Sequence, residues 1–175
     1  MTARTIYTIG HSTRSADEFL AILKAFAIEL VADIRTIPRS RRNPQYDQES
    51  LKRVLAEHQI GYVHLPALGG LRHARKDSPN TGWTNASFRG YADYMQTAEF
   101  AAAIDDLITR AVSCRTVIMC AEAVPWRCHR SLVGDALLVR GIQVEDIISE
   151  KSAKPHQLTA WARVEGLQIT YPEPG

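Results

Sequence analysis

The chain is predicted to fold as an α/β protein: a three-layer sandwich around a mostly parallel central sheet of about five strands, Rossmann-like in layout. Three observations carry that expectation. Short β-prone runs alternate with segments of helical periodicity from end to end. The helical segments show apolar faces and capping signals. And 175 residues without an internal repeat, low-complexity segment or linker favour one domain, residues 1–175, large enough to bury a core unaided.

The elements follow in order. Thr5–Ile9 is a β-prone run ended by Gly10. Ser15-Ala16-Asp17-Glu18 reads S-x-x-E, a capping box, and opens a helix whose apolar face is Phe19, Leu20, Ile22, Leu23 and Phe26. Leu30–Ile34 is a second strand. A basic loop with two prolines runs from Arg35 to Gln45. A helix near Gln48–Gln59 turns Leu51, Val54 and Leu55 inward, and Gly61–Leu65 forms a third strand. Pro66–Phe88 is irregular and longer than most connections, which points to a functional loop or lid. Helical signals occupy Arg89–Ala111 in two pieces meeting near Thr97. Thr116–Cys120 is a fourth strand. Cys128–Arg140 is a helix with Leu132, Val133, Ala136 and Leu137 inward, closed by Gly141. Val144–Ile148 is a fifth strand, and Pro155–Glu165 a last helix with proline in its first turn.

Composition excludes more than it assigns. The formal net charge of +2 is too small to argue for nucleic acid or a membrane surface by itself. No apolar run is long enough to span a bilayer, and MTARTIYTIGHST lacks the apolar core of a signal peptide. Three cysteines, an odd number, do not look like a disulfide framework, so a reducing cytoplasmic setting is expected.

In parallel α/β sheets, ligands bind beyond the carboxyl ends of the strands. Here those ends read Gly10-His11-Ser12, then Asp33-Ile34-Arg35 running on to Arg39-Ser40, then Leu65-Pro66 leading to Gly69-Gly70, and Cys120-Ala121-Glu122. If the sheet is parallel, all four share one rim. The segment RTIPRSRR sets Arg35, Arg39, Arg41 and Arg42 together: a solvated loop, or an anion cradle stiffened by proline. A single nucleic-acid strand is another reading, with Tyr46 and Trp83 as stacking rings. His11 caps a turn or serves as a base, and Asp33 pairs with Arg35 or orients His11.

The stretch MCAEAVPWRCHRS, Met119–Ser131, holds the densest reactive groups. Three readings compete. Cysteine phosphatases and rhodanese-like enzymes use a Cys-x5-Arg loop, but Cys120 to Arg127 is one residue too long, and Pro125 removes an N–H donor. A metal site could draw on Cys120, Cys128 and His129 with His11 or Glu122, at a spacing unusual for zinc. In a binding loop, Glu122, His129 and Arg130 would meet a polar substrate while the cysteines pack.

Five stretches carry a resemblance to a known family: TIGHS (Thr8–Ser12), DIRTIPRSRRNPQY (Asp33–Tyr46), HLPALGGLR (His64–Arg72), NTGWTNASFRGYADYM (Asn80–Met95) and MCAEAVPWRCHRS. They resemble the DUF488 family. The resemblance implies an α/β fold and a cluster of His, Arg, Cys and Glu, and transfers no established reaction. It also raises Asn85, Ser87, Arg89 and Tyr91 as lid residues, against the simpler view that Trp83, Phe88 and Tyr94 pin that loop to the core.

The leading expectation is an enzyme on a phosphate- or carboxylate-bearing small molecule, or a nucleotide-like one. Cys120, Glu122 and His11 are the groups for chemistry. Ser12, Asp33, Arg35, Arg39, Ser40, Cys128, His129, Arg130, Asn85 and Arg89 are the groups for binding. No cofactor or resident metal is expected. The alternatives are a nucleic-acid-binding module using Arg35–Arg42 and a metal-dependent hydrolase. The sequence leaves the oligomeric state open.

Overall fold

A computed structural model describes residues 4–173. Its six-stranded sheet has the order β3-β2-β4-β1-β5-β6. The strands are β1 (Thr5–Gly10), β2 (Leu30–Asp33), β3 (Gly61–His64), β4 (Thr116–Cys120), β5 (Gln143–Ser149) and β6 (Ser152–Pro155). The first five run parallel, and β6 returns antiparallel to β5. A separate hairpin pairs β7 (Arg163–Glu165) with β8 (Gln168–Thr170). The helices are α1 (Ala16–Ala25), α2 (Gln48–Glu57), α3 (Ala86–Tyr94), α4 (Ala98–Ser113) and α5 (Arg130–Val139).

The pleat divides the core in two. Val117 and Met119 of β4 face α1 and α2, where they join Phe19, Leu23, Leu51 and Leu55. Ile118 and Cys120 face the opposite way, among Phe100, Ile104, Leu132 and Leu137 of α4 and α5. That alternation is the period-two rule for strand side chains, and β4 is buried along its whole length because helices cover both faces. The result is the expected α/β sandwich.

Caps set the helix starts. The Ser15 hydroxyl accepts the Glu18 amide at 3.1 Å, as the capping box predicts. Thr97 caps α4, so the two helical pieces do meet there. At the end of α5, Gly141 takes φ +82° while its amide and that of Ile142 reach back to Leu138 and Leu137. This left-handed turn closes the helix where a side chain would strain it.

The sheet has six strands where about five were expected. Two expectations need correction. The helix after β4 begins at Arg130, because a 3-10 turn at Pro125–Arg127 leaves Cys128 extended. And Pro155–Glu165 is not a helix. Pro155 ends the edge strand β6, a position where its missing N–H costs nothing. Beyond it, the His156 amide donates to Val144 O, and the Thr159 amide donates to the Asp135 carboxylate at 3.2 Å. Long-range partners take the hydrogen bonds that a helix would have made locally. Among the described residues, no helix is long and apolar enough to cross a membrane.

The connections position the site. β1 leads through α1 on one face to β2, while β4 leads through α5 on the other face to β5. Since β1 and β4 are neighbours, the loops after them diverge and leave a crevice at the carboxyl edge.

Candidate functional site

A cleft of about 410 Å³ opens at that crevice. Its walls are His11, Ser12 and Thr13 after β1, Ser40–Asn43 of the basic loop, and Ala121–Ala123 after β4. The β1 and β4 loops are joined beyond the sheet by His11 N to Cys120 O at 2.9 Å and Ser12 N to Ala121 O at 3.0 Å. Gly10 permits this approach: a Cβ there would stand 1.7 Å from Glu122 O and 2.5 Å from Arg130 Nη1. Ser12 holds φ +51°, a conformation rare outside glycine and costly unless its surroundings impose it.

His11 is buried and stacks on Tyr46, with ring centroids 4.1 Å apart and planes 11° off parallel. Its Nδ1 lies 2.8 Å from Ser12 O. A carbonyl only accepts, so Nδ1 carries the proton and Nε2 keeps its lone pair. Burial, with help from Arg35, lowers the His11 pKa against the pull of the Ser12 carbonyl, so the ring is neutral at pH 7.

Arg35 lies beside it, with Nη1 3.5 Å from His11 Nε2. The rest of its guanidinium is committed. Nε and Nη2 grip Asp33 at 2.9 and 2.7 Å, and Nη2 also donates to Tyr46 O. Asp33 in turn accepts from Tyr62 OH at 2.6 Å. This buried pair holds the basic loop and neutralises its own charge, so Arg35 and Asp33 support His11 from below. In that loop, the Ser40 hydroxyl accepts from the Asn43 amide and the Ser40 amide donates to Asp47. Arg41 and Arg42 are exposed on the cleft wall, while Arg39 is exposed away from it. Glu122 is exposed and its Oε1 accepts from the Val124 amide at 3.4 Å.

Beneath the loop after β4 lies a second set of reactive groups. Arg130 is fully buried. It donates to Cys120 Sγ at 3.1 Å, to Glu122 O at 2.6 Å and to Ala123 O at 3.0 Å. Among the described residues, no carboxylate lies within salt-bridge distance of it. Cys120 answers the charge. Burial would raise its thiol, but the hydrogen bond from Cys128 and the Arg130 guanidinium bring it down to about 7. Cys128 moves the other way, pushed up by the hydrogen bond to Cys120 and by burial. Both thiols are free and buried, and neither lines the cleft. His129 donates from Nε2 to Ile34 O at 3.0 Å and packs against Tyr91. Burial brings it down to about 4, so it ties α5 to the end of β2 as a neutral ring. Gly70 clears space for it, since a Cβ there would meet its Nδ1 at 2.8 Å.

The remaining expected residues are spent on structure. The Asn85 carboxamide caps α3 by accepting the Ser87 and Phe88 amides. Arg89 donates twice to Trp83 O. Neither lines the cleft. Thus His11, Ser12, Ser40 and Glu122 come together at the cleft. Asp33, Arg35, Cys120, Cys128, His129 and Arg130 form the layer beneath.

Arg41 and Arg42, read in the sequence as part of a basic cluster, line the cleft. Two features went unread. Thr13 and Asn43 also line the cleft. The second is a buried charge cluster at β5: His156 Nε2 is 2.9 Å from Asp135 and its Nδ1 3.4 Å from Asp146. Burial opposes protonation there, but the two carboxylates raise the His156 pKa to about 9. No local pattern announces this cluster. Among the described residues, no three His, Cys, Asp or Glu side chains converge to hold a metal ion.

No curated protein matches the chain. A family model, Domain of unknown function DUF488, matches residues 15–137, from the cap of α1 through most of α5 and including both the basic loop and the loop after β4. By that match over most of its length, the chain belongs to the DUF488 family.

Proposed function

We propose that the protein is an enzyme that binds a phosphate- or carboxylate-bearing small molecule in the cleft between the β1 and β4 loops. The observation that carries this is the composition of the cleft wall. Two arginines without a carboxylate partner among the described residues, Arg41 and Arg42, stand with the hydroxyls of Ser12, Thr13 and Ser40 around a neutral histidine. Guanidinium groups pair with anionic oxygens in a fixed fork, and hydroxyls add neutral hydrogen bonds. His11, with a lone pair on Nε2, supplies a base, and Glu122 across the cleft supplies a second acid–base group. Cys120 is left out of this chemistry. Unlike His11 it does not line the cleft; it sits against Arg130, which holds the loop that carries Glu122.

The test is calorimetric titration with inorganic phosphate and with citrate. Saturable binding to the wild-type protein is expected, weakened at least about 10-fold by the Arg41→Glu/Arg42→Glu double variant, with stability changed by less than about 0.5 kcal/mol. Absence of binding up to roughly 10 mM of either anion would sink the reading.

A nucleic-acid strand is the second reading, favoured by the exposed Arg39, Arg41 and Arg42. It loses one ring it needed, because Tyr46 is 1% exposed and covered by His11. It predicts oligonucleotide affinity that falls steeply with salt and no affinity for the small anions.

A further inference from the structure

The cleft does not end at Ala123. A larger one, of about 1030 Å³, adjoins it toward β5 and β6. Ala123 lines both, and on the opposite wall Thr13 lines the smaller cleft while Arg14, the next residue, lines the larger. The chemistry changes across that ridge. The smaller cleft is walled by arginines and hydroxyls. The larger one is walled by the indoles of Trp83, Trp126 and Trp161, with Pro125, Ile148 and Pro155.

Those indoles are not equivalent. Trp83 packs edge-on at 5.0 Å against both Phe88 and Trp161, so these rings form a fixed wall. Trp126 sits on the 3-10 turn of the loop after β4, and 73% of its surface is exposed. An indole this open offers a free face for stacking. The cleft also contains a built polar group, set among the side chains of Arg14, Lys154 and His156. The Asp146 carboxylate is buried, accepts from the Thr8 hydroxyl and is bracketed by His156. A mostly apolar hollow with one fixed acceptor suits a planar heterocycle bearing N–H groups.

We infer that the two clefts form one bipartite site for a free nucleoside monophosphate. Its phosphate lies among Arg41, Arg42 and Ser12, and its base lies against Trp126 with ring N–H groups toward Asp146. This rests on the anion reading of the smaller cleft and names the substrate class. Every base has a π-face, so the stacking supplies affinity, while Asp146 favours bases with donors on the facing edge.

Calorimetry with inorganic phosphate and the four common nucleoside monophosphates tests it on the full chain. At least one nucleotide is expected to bind about 10- to 100-fold tighter than phosphate, the increment of one stacked base. Trp126→Ala should bring that nucleotide down to the phosphate level and leave phosphate binding unchanged. Trp126→Phe should restore most of the gain. Because Trp126 is exposed, both variants should fold, which thermal unfolding verifies. Phosphate binding with no gain for any nucleotide, or a gain that survives Trp126→Ala, overturns the bipartite site and leaves the anion reading standing. No phosphate or nucleotide binding overturns both.

Discussion

Arg41 and Arg42 stand in water on the cleft wall, whereas Arg35 and Arg130 lie beneath it at 6% and 0% exposure. The buried pair is committed to partners inside the fold, with Arg130 Nε alone of its nitrogens lacking one among the described residues. Arg35 grips Asp33 and the Tyr46 carbonyl, and Arg130 grips the carbonyls of Glu122 and Ala123 together with Cys120. The exposed pair has no such obligations. So single sequence motifs divide between floor and wall: RTIPRSRR supplies both Arg35 below and Arg41 and Arg42 on the cleft wall. The two buried arginines also differ from each other. One is neutralised by a carboxylate, the other by a thiol whose charge depends on pH near neutrality.

The sharpest way to break this contrast is to remove a buried partner. Asp33→Ala leaves the Arg35 charge buried and uncompensated, and is expected to cost about 3–5 kcal/mol in urea unfolding. A loss below about 1 kcal/mol would show that the floor is not holding the basic loop.

The next effect separates the buried charges by pH. His156 has a folded pKa of about 9 against the ordinary 6.5, so its contribution is complete below about pH 6.5 and is lost as pH rises through 9. Its full size is on the order of 3 kcal/mol. Cys120 has the opposite sign. Its thiol is held near 7 against the ordinary 9, so its contribution is present above about pH 9 and is lost as pH falls through 7. Between pH 7 and 9 the two oppose. His156→Gln should therefore leave a stability that rises with pH over that window, measured by urea unfolding at each pH. An unchanged profile would place the protonation elsewhere.

Much of the fold was legible because it rests on local signals. Apolar runs and the capping box at Ser15 need only neighbours in sequence, and the strand-end rule then brings His11, Ser12, Ser40 and Glu122 to one cleft. The segment after β6 was not legible, because its partners are Val144 and Asp135, far away in the chain. The His156 cluster was hidden for the same reason. Cys120 is a different case. Its orientation follows from period two, since it shares a face with Ile118 against α4 and α5. The density of reactive groups around it drew attention to its chemistry before its side of the sheet. Arg35 stands two residues from Asp33 on the strand end, a spacing that already allowed their pairing.

The smallest expected effect on stability is the most informative on binding. Arg41→Glu/Arg42→Glu should leave unfolding nearly unchanged while phosphate affinity falls, the mirror image of Asp33→Ala. The contrast between wall and floor is tested most directly by heteronuclear NMR during a titration with inorganic phosphate. Amide shifts should move at His11–Thr13, Ser40–Asn43 and Ala121–Ala123, the walls of the smaller cleft. Saturating shifts confined to other parts of the molecule, or none at any phosphate concentration, would contradict an anion site between the β1 and β4 loops.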